Sequence, residues 1–306
     1  MNKQDKTAAI RVVIRRGKRR DLVFASLGML CLAFGLLTVL ILVGKMGLEG
    51  IDRLSLDFFT SFPSRRAANA GILSAWVGSL LVMVVTAFAA VPLGVGAGIY
   101  LEEYARRNWV TDVIEINITN LAAVPSIVYG LLALGIFVYQ FGVGGSILSA
   151  GLTLALLILP IVIVATREAI RSIPGAMREG SMALGATKWQ TVRYHIIPYA
   201  MPGILTGVII GLARAIGETA PIITIGALTF IAFLPPMPLV DGAGLFDWVM
   251  SPFTVMPIQM FNWTSRPEEA FQANAGAAGF VLVVMTLGMN ALAIWLRYRL
   301  RKNIKW

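Results

Sequence analysis

The chain has 306 residues, 57% hydrophobic and only 14% charged, where a soluble domain carries about 25% charged residues. That balance describes a polytopic membrane protein. The formal net charge of +10 therefore has to be read by its location along the chain, and it does not argue for nucleic-acid binding. A single cysteine, Cys31, and a single histidine, His195, exclude an internal disulfide and any Cys-rich or multi-His metal centre, and no catalytic or cofactor fingerprint is present.

Residues 1–21 are polar and basic, with Lys3, Lys6, Arg11, Arg15, Arg16, Lys18, Arg19 and Arg20 against Asp5 and Asp21. They lead directly into an apolar run over 22–44. This is the pattern of a cytoplasmic tail beside anionic lipid, followed by an uncleaved first span, because the run exceeds the roughly 7–15 residues of a signal-peptide core. A mixed loop over 45–71 carries turn signals at Gly47, Gly50 and Pro63. The second run, 72–100, holds Gly94 and Gly98, a small-residue packing face. After a short charged stretch (101–116), the third run (116–139) contains Asn117, Asn120, Pro125 and Ser126, and Pro125 is expected to kink it. The turn at Gly142–Gly145 opens a fourth run (146–166).

A polar stretch of residues 167–198 then precedes the fifth run, 199–233. In the middle of that run stand Arg214 and Glu218. Gly207, Gly211, Arg214 and Glu218 follow i, i+4, i+7, i+11, which in one continuous helix places all four on a narrow face. Intramembrane charges usually face a protein interior or a water-filled path. Arg214 offers a planar fork of N–H donors to an oxyanion. The competing reading is an internal ion pair, in the less favourable order with the base first. Thr219 could add a hydroxyl donor or bond back to its own helix, and Pro221 marks a second kink. A long loop with Pro235, Pro236, Pro238, Pro252, Pro257 and Pro267, and with Phe246, Trp248, Phe253, Phe261 and Trp263, follows. It reads either as an ordered external loop or as a docking surface. The sixth run is 275–296, and a basic tail (301–306) ends the sequence.

Six spans put both tails on one side. Of the 26 basic residues, the opposite loops hold only Lys45, Arg53, Arg65, Arg66 and Arg266, so the positive-inside rule places both tails and the 167–195 segment in the cytoplasm. That segment reads as short helix, glycine turn, short helix, with Pro174 opening the first and apolar Met182 and Leu184 in water. Such an order fits a segment gripped by another protein. Gly180 and Gly185 mimic half of a phosphate-binding loop, but Ala186 stands where its lysine must be, so ATP binding by this chain is not expected.

Glu179-Gly180-Ser181, three residues, Gly185, nine residues, then His195-Ile196-Ile197-Pro198 keep the full spacing of the EAA loop (Glu-Ala-Ala, Gly, Ile-x-Leu-Pro). The stretch resembles that loop of ABC-importer permeases, with Gly180 and Ser181 for two alanines, His195 for Ile and Ile197 for Leu. The segments 123–130 (Ala-Val-Pro-Ser-Ile-Val-Tyr-Gly), 184–190, 214–221 (Arg-Ala-Ile-Gly-Glu-Thr-Ala-Pro) and 259–267 are similar to the permeases of the phosphate-specific (Pst) system, of the PstA type in particular. The resemblance spans about residues 72–300 and leaves out the N-terminal tail.

The resemblance implies a type I ABC-importer permease fold, all-α with six spans, in the cell inner membrane. It implies a heterodimer with a PstC-like sister permease, two PstB-like ATPase subunits that use ATP and Mg, and a periplasmic phosphate-binding protein delivering inorganic phosphate. On this reading Arg214, Glu218 and Thr219 lie on the substrate path. The loop residues Glu179, Gly180, Ser181, Ala183, Leu184, Gly185 and Ala186 couple to the ATPase, and the chain itself is no enzyme and binds no cofactor or metal. The alternatives are a PstC-like or other oxyanion permease, or a structural or signalling membrane subunit. Glu179 could pair with a base of the ATPase or act as a solvated cap, and His195 reads as a packed histidine near the membrane surface.

Overall fold

The structure, a computed structural model, describes residues 3–237, 242 and 244–301. Pro238 of the long loop and Lys302 and Lys305 of the C-terminal tail lie outside the described residues. Among the described residues every regular element is helical. The chain divides into two units, Met1–Glu49 and Gly50–Trp306.

The first unit is helix α1 (Lys3–Gly50), so the basic segment from Lys3 onward and the apolar run after it form one helix. In the second unit come α2 (Leu56–Thr60), α3 (Leu73–Ile99), α4 (Trp109–Leu121), α5 (Ser126–Ala133), α6 (Ile147–Arg171), α7 (Gly175–Ala183), α8 (Lys188–Thr191), α9 (Ile197–Gly217), α10 (Ala220–Thr224), α11 (Met256–Thr264) and α12 (Glu269–Arg301). Single wide turns with i→i+5 bonding extend α3 over Tyr100–Tyr104, α5 over Leu134–Gln140, and join α8 to α9 over Val192–Ile196.

Helix α6 is the axis of the second unit, with α3 and α9 packed on it. Small residues set the spacing. A Cβ on Gly94 or Gly98 would collide with Val162 or Thr166 of α6, and one on Gly207 with Ala165. Gly94 and Gly98 thus form the close-packing face read from their spacing. The apolar core runs through Val82, Leu154, Ile158, Ala215, Ile222 and Phe253. A second core, around Phe58, Ile72, Met256, Trp263 and Phe271, holds the segment before α3 against α11 and α12. Part of the long aromatic loop is therefore built into the two cores: Phe253 is buried in the first and Trp263 in the second, while Phe246 and Phe261 are exposed.

Two runs expected as continuous or merely kinked helices are broken. Helix α4 ends at Leu121, and the chain restarts at Ser126 after Pro125, bent by 106°. Helix α9 ends at Gly217, and α10 begins at Ala220 with Pro221 in its first turn. The physical reason is the same at both places. A proline ring clashes with the carbonyl four residues before it and removes one helical hydrogen bond. The residue four before Pro125 is Leu121, and four before Pro221 is Gly217, the last residues of α4 and α9. Pro125 and Pro221 therefore start helices after a break and do not bend a continuous one.

Among the described residues five helices are long and apolar enough to cross a membrane, and the number is six if the bent α4–α5 pair is one span. The two ends of that pair lie at opposite ends of α6. Trp109, at the start of α4, lines a cleft with Arg171, the last residue of α6. The chain after α5 returns to Ile147, the first residue of α6. A helix of 25 residues spans about 37 Å at 1.5 Å per residue, more than the roughly 30 Å of a hydrocarbon core. Residues 109–147 thus traverse the full length of α6.

Candidate functional site

The break after α9 shapes the intramembrane pair. Glu218 has left the helix (φ −79°, ψ 124°), while its N–H still bonds the Ala215 carbonyl. The single-face reading of Gly207, Gly211, Arg214 and Glu218 is therefore corrected. Gly207 and Gly211 are buried, whereas Arg214 is exposed and Glu218 sits on the extended segment beyond the helix. The pair persists across the helix end: Arg214 Nε donates to Glu218 Oε1 at 3.2 Å, with side-chain exposures of 41% and 20%. The two terminal guanidinium nitrogens make no hydrogen bond among the described residues, so four of the five N–H donors stay open. Thr219 opens α10, and its hydroxyl bonds nothing among the described residues, so it does not back-bond to the helix.

The two breaks lie together. A Cβ on Gly130 of α5 would collide with Thr224 Oγ1 and the Pro221 backbone of α10. Tyr129 is buried beside it, and its hydroxyl donates at 2.8 Å to the Leu121 carbonyl, which has lost its i+4 donor to Pro125 and also accepts from the Val124 N–H. Arg214 is within electrostatic reach of that phenol. Residues around Pro125, Pro221, Arg214 and Glu218, separate in sequence, thus share one region. Asn117 and Asn120 of α4 are exposed, with Asn117 donating to its own helix at Val113.

The coupling-loop candidates form a second site. Pro174 precedes α7, which carries Glu179, Gly180, Ser181 and, as its last residue, Ala183. Gly185 adopts φ +86°, a left-handed value open to glycine, and its N–H bonds the Met182 carbonyl to close the helix. Thr187 and Gln190 then make a reciprocal capping box that opens α8. Ser181 Oγ lies 2.9 Å from Thr191 Oγ1 and ties α7 to α8. The second short helix is not separate, since it runs through the wide turn into α9. Leu184 is 91% exposed at the tip, flanked by exposed Met182 and Trp189. Glu179 is exposed in mid-helix and unpaired among the described residues, so it caps nothing. His195 is exposed too, contrary to the expectation of a packed histidine, because it falls on the outer side of the wide turn.

A set of charges that sequence reading used only for sidedness turns out to be organised. The wide turn after α3 presents Glu102 and Glu103 side by side. Glu102 takes a two-pronged bond from Arg171 (3.2 and 3.0 Å) and faces Arg167 at 3.6 Å. Glu103 pairs with Arg178 at 2.8 Å, and Arg178 also donates to the Ile170 and Ile173 carbonyls at the end of α6. Arg167 reaches Glu115 of α4. The signal available beforehand was complementary composition, acids over 102–115 and bases over 167–178 on the same side of the membrane.

Comparison with known proteins follows this geometry. Residues 90–306 match the family described as "Binding-protein-dependent transport system inner membrane component". The chain belongs to that family. It is 34% identical over 282 residues to a probable ABC transporter permease protein, YqgI, of Bacillus subtilis, covering 89% of this chain and 95% of the relative. It is 31% identical over 291 residues to the phosphate transport system permease protein PstA of Xylella fastidiosa (92% and 96% covered). It is 32% identical over 284 residues to PstA of Yersinia pestis (91% and 90%). Among solved structures, a bacterial alginate ABC transporter chain superposes with a TM-score of 0.64 at 14% identity, over 93% of this chain and 96% of that one. A MetNI methionine ABC transporter chain gives 0.55 at 16% identity, over 73% and 93%. These structures establish the ABC-importer permease fold alone. The chain is a PstA-like, multi-pass inner-membrane permease.

Proposed function

We propose that the chain is one half of the translocation path of an ATP-driven importer of inorganic phosphate. A sister permease supplies the other half, two ATPase subunits grip the α7–α8 loop from the cytoplasm, and an external phosphate-binding protein delivers the anion. ATP and Mg belong to the ATPase subunits. Both tails of this chain lie in the cytoplasm, in line with the charge asymmetry of its loops.

The observation that carries the substrate reading is Arg214. It is a half-exposed guanidinium in the last turn of an apolar helix, bonded through one nitrogen only among the described residues, at the place where two broken helices meet. Open donors in a low-dielectric setting suit a tetrahedral oxyanion. Glu218 sets the strength of the site. As an internal counter-ion it competes with phosphate for Arg214, and this keeps binding weak enough for release. Its carboxylate also accepts a hydrogen bond from a protonated phosphate oxygen, a donor that sulfate lacks. Similarity to proteins named as phosphate permeases supports the choice of anion.

The experiment is labelled-phosphate uptake beside binding-protein-stimulated ATP hydrolysis in one assembled complex, wild type against Arg214→Gln. The expected result is loss of uptake by a factor of about 100, the scale of removing a charged hydrogen-bonding partner, with the complex intact and hydrolysis still stimulated. Normal uptake would reduce the Arg214–Glu218 pair to a structural contact.

A further inference from the structure

The charged cluster at the root of the coupling loop has a direction built into it. Arg178 fastens α7 to the end of α6 and to Glu103. Glu102, the next residue on the same wide turn, is shared by Arg171 and Arg167. Arg167 then passes the chain of contacts to Glu115 on α4. A wide turn of this kind often sits at functional sites, and here it lets two successive carboxylates serve two different partners.

Helix α4 is loosely held. None of its residues is buried. Clefts of about 460 and 470 Å³ open on either side of Glu115, the first lined also by Thr119 and Asn120, the second by Trp109 and Asp112. Between them stands the Glu115–Arg167 pair, the one ion pair of α4 among the described residues. Arg167 itself is buried, with a side-chain exposure of 9%, and its Nε has no hydrogen-bond partner within bonding distance. Such a pair adds little net stability, because desolvation offsets much of what it contributes. At the far end of α4 lies the break at Pro125, where the chain bends by 106°.

Taking the proposed permease function as given, we infer that Arg167 is a positioning residue for transport. It is the strut through which movement of the α7–α8 loop reaches α4, and through α4 the broken-helix region at Pro125. Glu102 faces Arg167 from the wide turn after α3, Glu103 on the same turn holds Arg178 of the loop, and Glu115 is the ion-pair partner of Arg167 on α4 among the described residues.

The test uses the full complex with Cys31→Ser as background and two spin-label pairs. Val113→Cys with Phe88→Cys reports α4 against α3, and Ala176→Cys with Phe88→Cys reports α7 against α3; all three positions are exposed. In the wild type, ATP binding changes both distances. In Glu115→Gln, where Glu102 still faces Arg167, the α7 pair still changes and the α4 pair does not. Phosphate uptake then falls by about tenfold, within the usual 5–150-fold range of coupling between sites, while ATP hydrolysis stays near wild type. A merely structural role would lower the melting temperature and both activities together. An α4 pair that still responds, or uptake that is unchanged in Glu115→Gln, overturns the inference and leaves the permease reading intact. If neither pair responds in the wild type, the coupling reading of the loop is itself overturned.

Discussion

At Gly130 a single hydrogen atom in place of a side chain lets α5 touch the backbone of α10. Gly130→Val forces the two broken-helix ends apart and is expected to destabilise the protein by about 1–3 kcal/mol, the usual cost of overpacking. It should also reduce phosphate uptake, since Arg214 sits at the same junction. A thermal melt of the purified chain in lipid nanodiscs, read beside uptake, checks both; an unchanged melt would mean that the helices separate without strain. The contact between Arg214 and Glu218 was legible from sequence, because residues four apart in a helical run are neighbours. Their geometry was not. Helical spacing put Glu218 on the Gly207 face, and the structure takes it off the helix because Pro221 acts backwards on Gly217. Tyr129 was invisible for a related reason: its hydroxyl matters only once the Pro125 break frees the Leu121 carbonyl.

Among the elements, α7 is the one whose sequence spoke most plainly. Pro174, Gly185 and the Thr187/Gln190 box punctuate it by local rules, and the structure uses each of them as cap or turn. Leu184 at its tip touches little of its own chain, with 91% exposure. Leu184→Asp should therefore leave the melting temperature of the isolated permease unchanged. It should weaken capture of the ATPase subunits by about tenfold or more, because burying a leucine is worth about 1.5–3 kcal/mol. Quantitative pull-down of the ATPase subunits from detergent measures this, and equal recovery would remove Leu184 from the interface. The prolines show the limit of local rules. Pro92, Pro160 and Pro202 sit inside helices that continue, whereas Pro125 and Pro221 end theirs. The difference lies in tertiary support, with Tyr129 bridging one break and α5 packed on the other, and no local window contains it. The Glu102–Arg171 and Glu115–Arg167 pairs were hidden in the same way, since partners more than 50 positions apart meet only through packing of α3 and α4 on α6.

For the whole molecule the decisive quantity is the number of crossings, because an even number puts both ends on one side. Long apolar runs gave six; by helix length alone the count is five, with the bent α4–α5 pair either a broken span or a re-entrant loop. The packing on α6 separates these alternatives. Glu115 of α4 pairs with Arg167 near the end of α6, and the Ile147 N–H at its start donates to the Ser251 carbonyl of the long loop. A re-entrant loop would return to the Arg167 end, and this chain does not. Single cysteines in a Cys31→Ser background turn that into a measurement. Arg107→Cys and Leu184→Cys should react with a membrane-impermeant maleimide only in inside-out vesicles. Phe141→Cys and Arg266→Cys should react only in right-side-out ones. The charge asymmetry assigns the first pair to the cytoplasm, since moving the many basic groups of that face through the bilayer is opposed at every crossing. Labelling of Phe141→Cys and Arg107→Cys from the same side would make the pair re-entrant. It would leave five crossings, separate the two tails across the membrane, and detach the Pro125 break from the path that the Arg214 region is proposed to line.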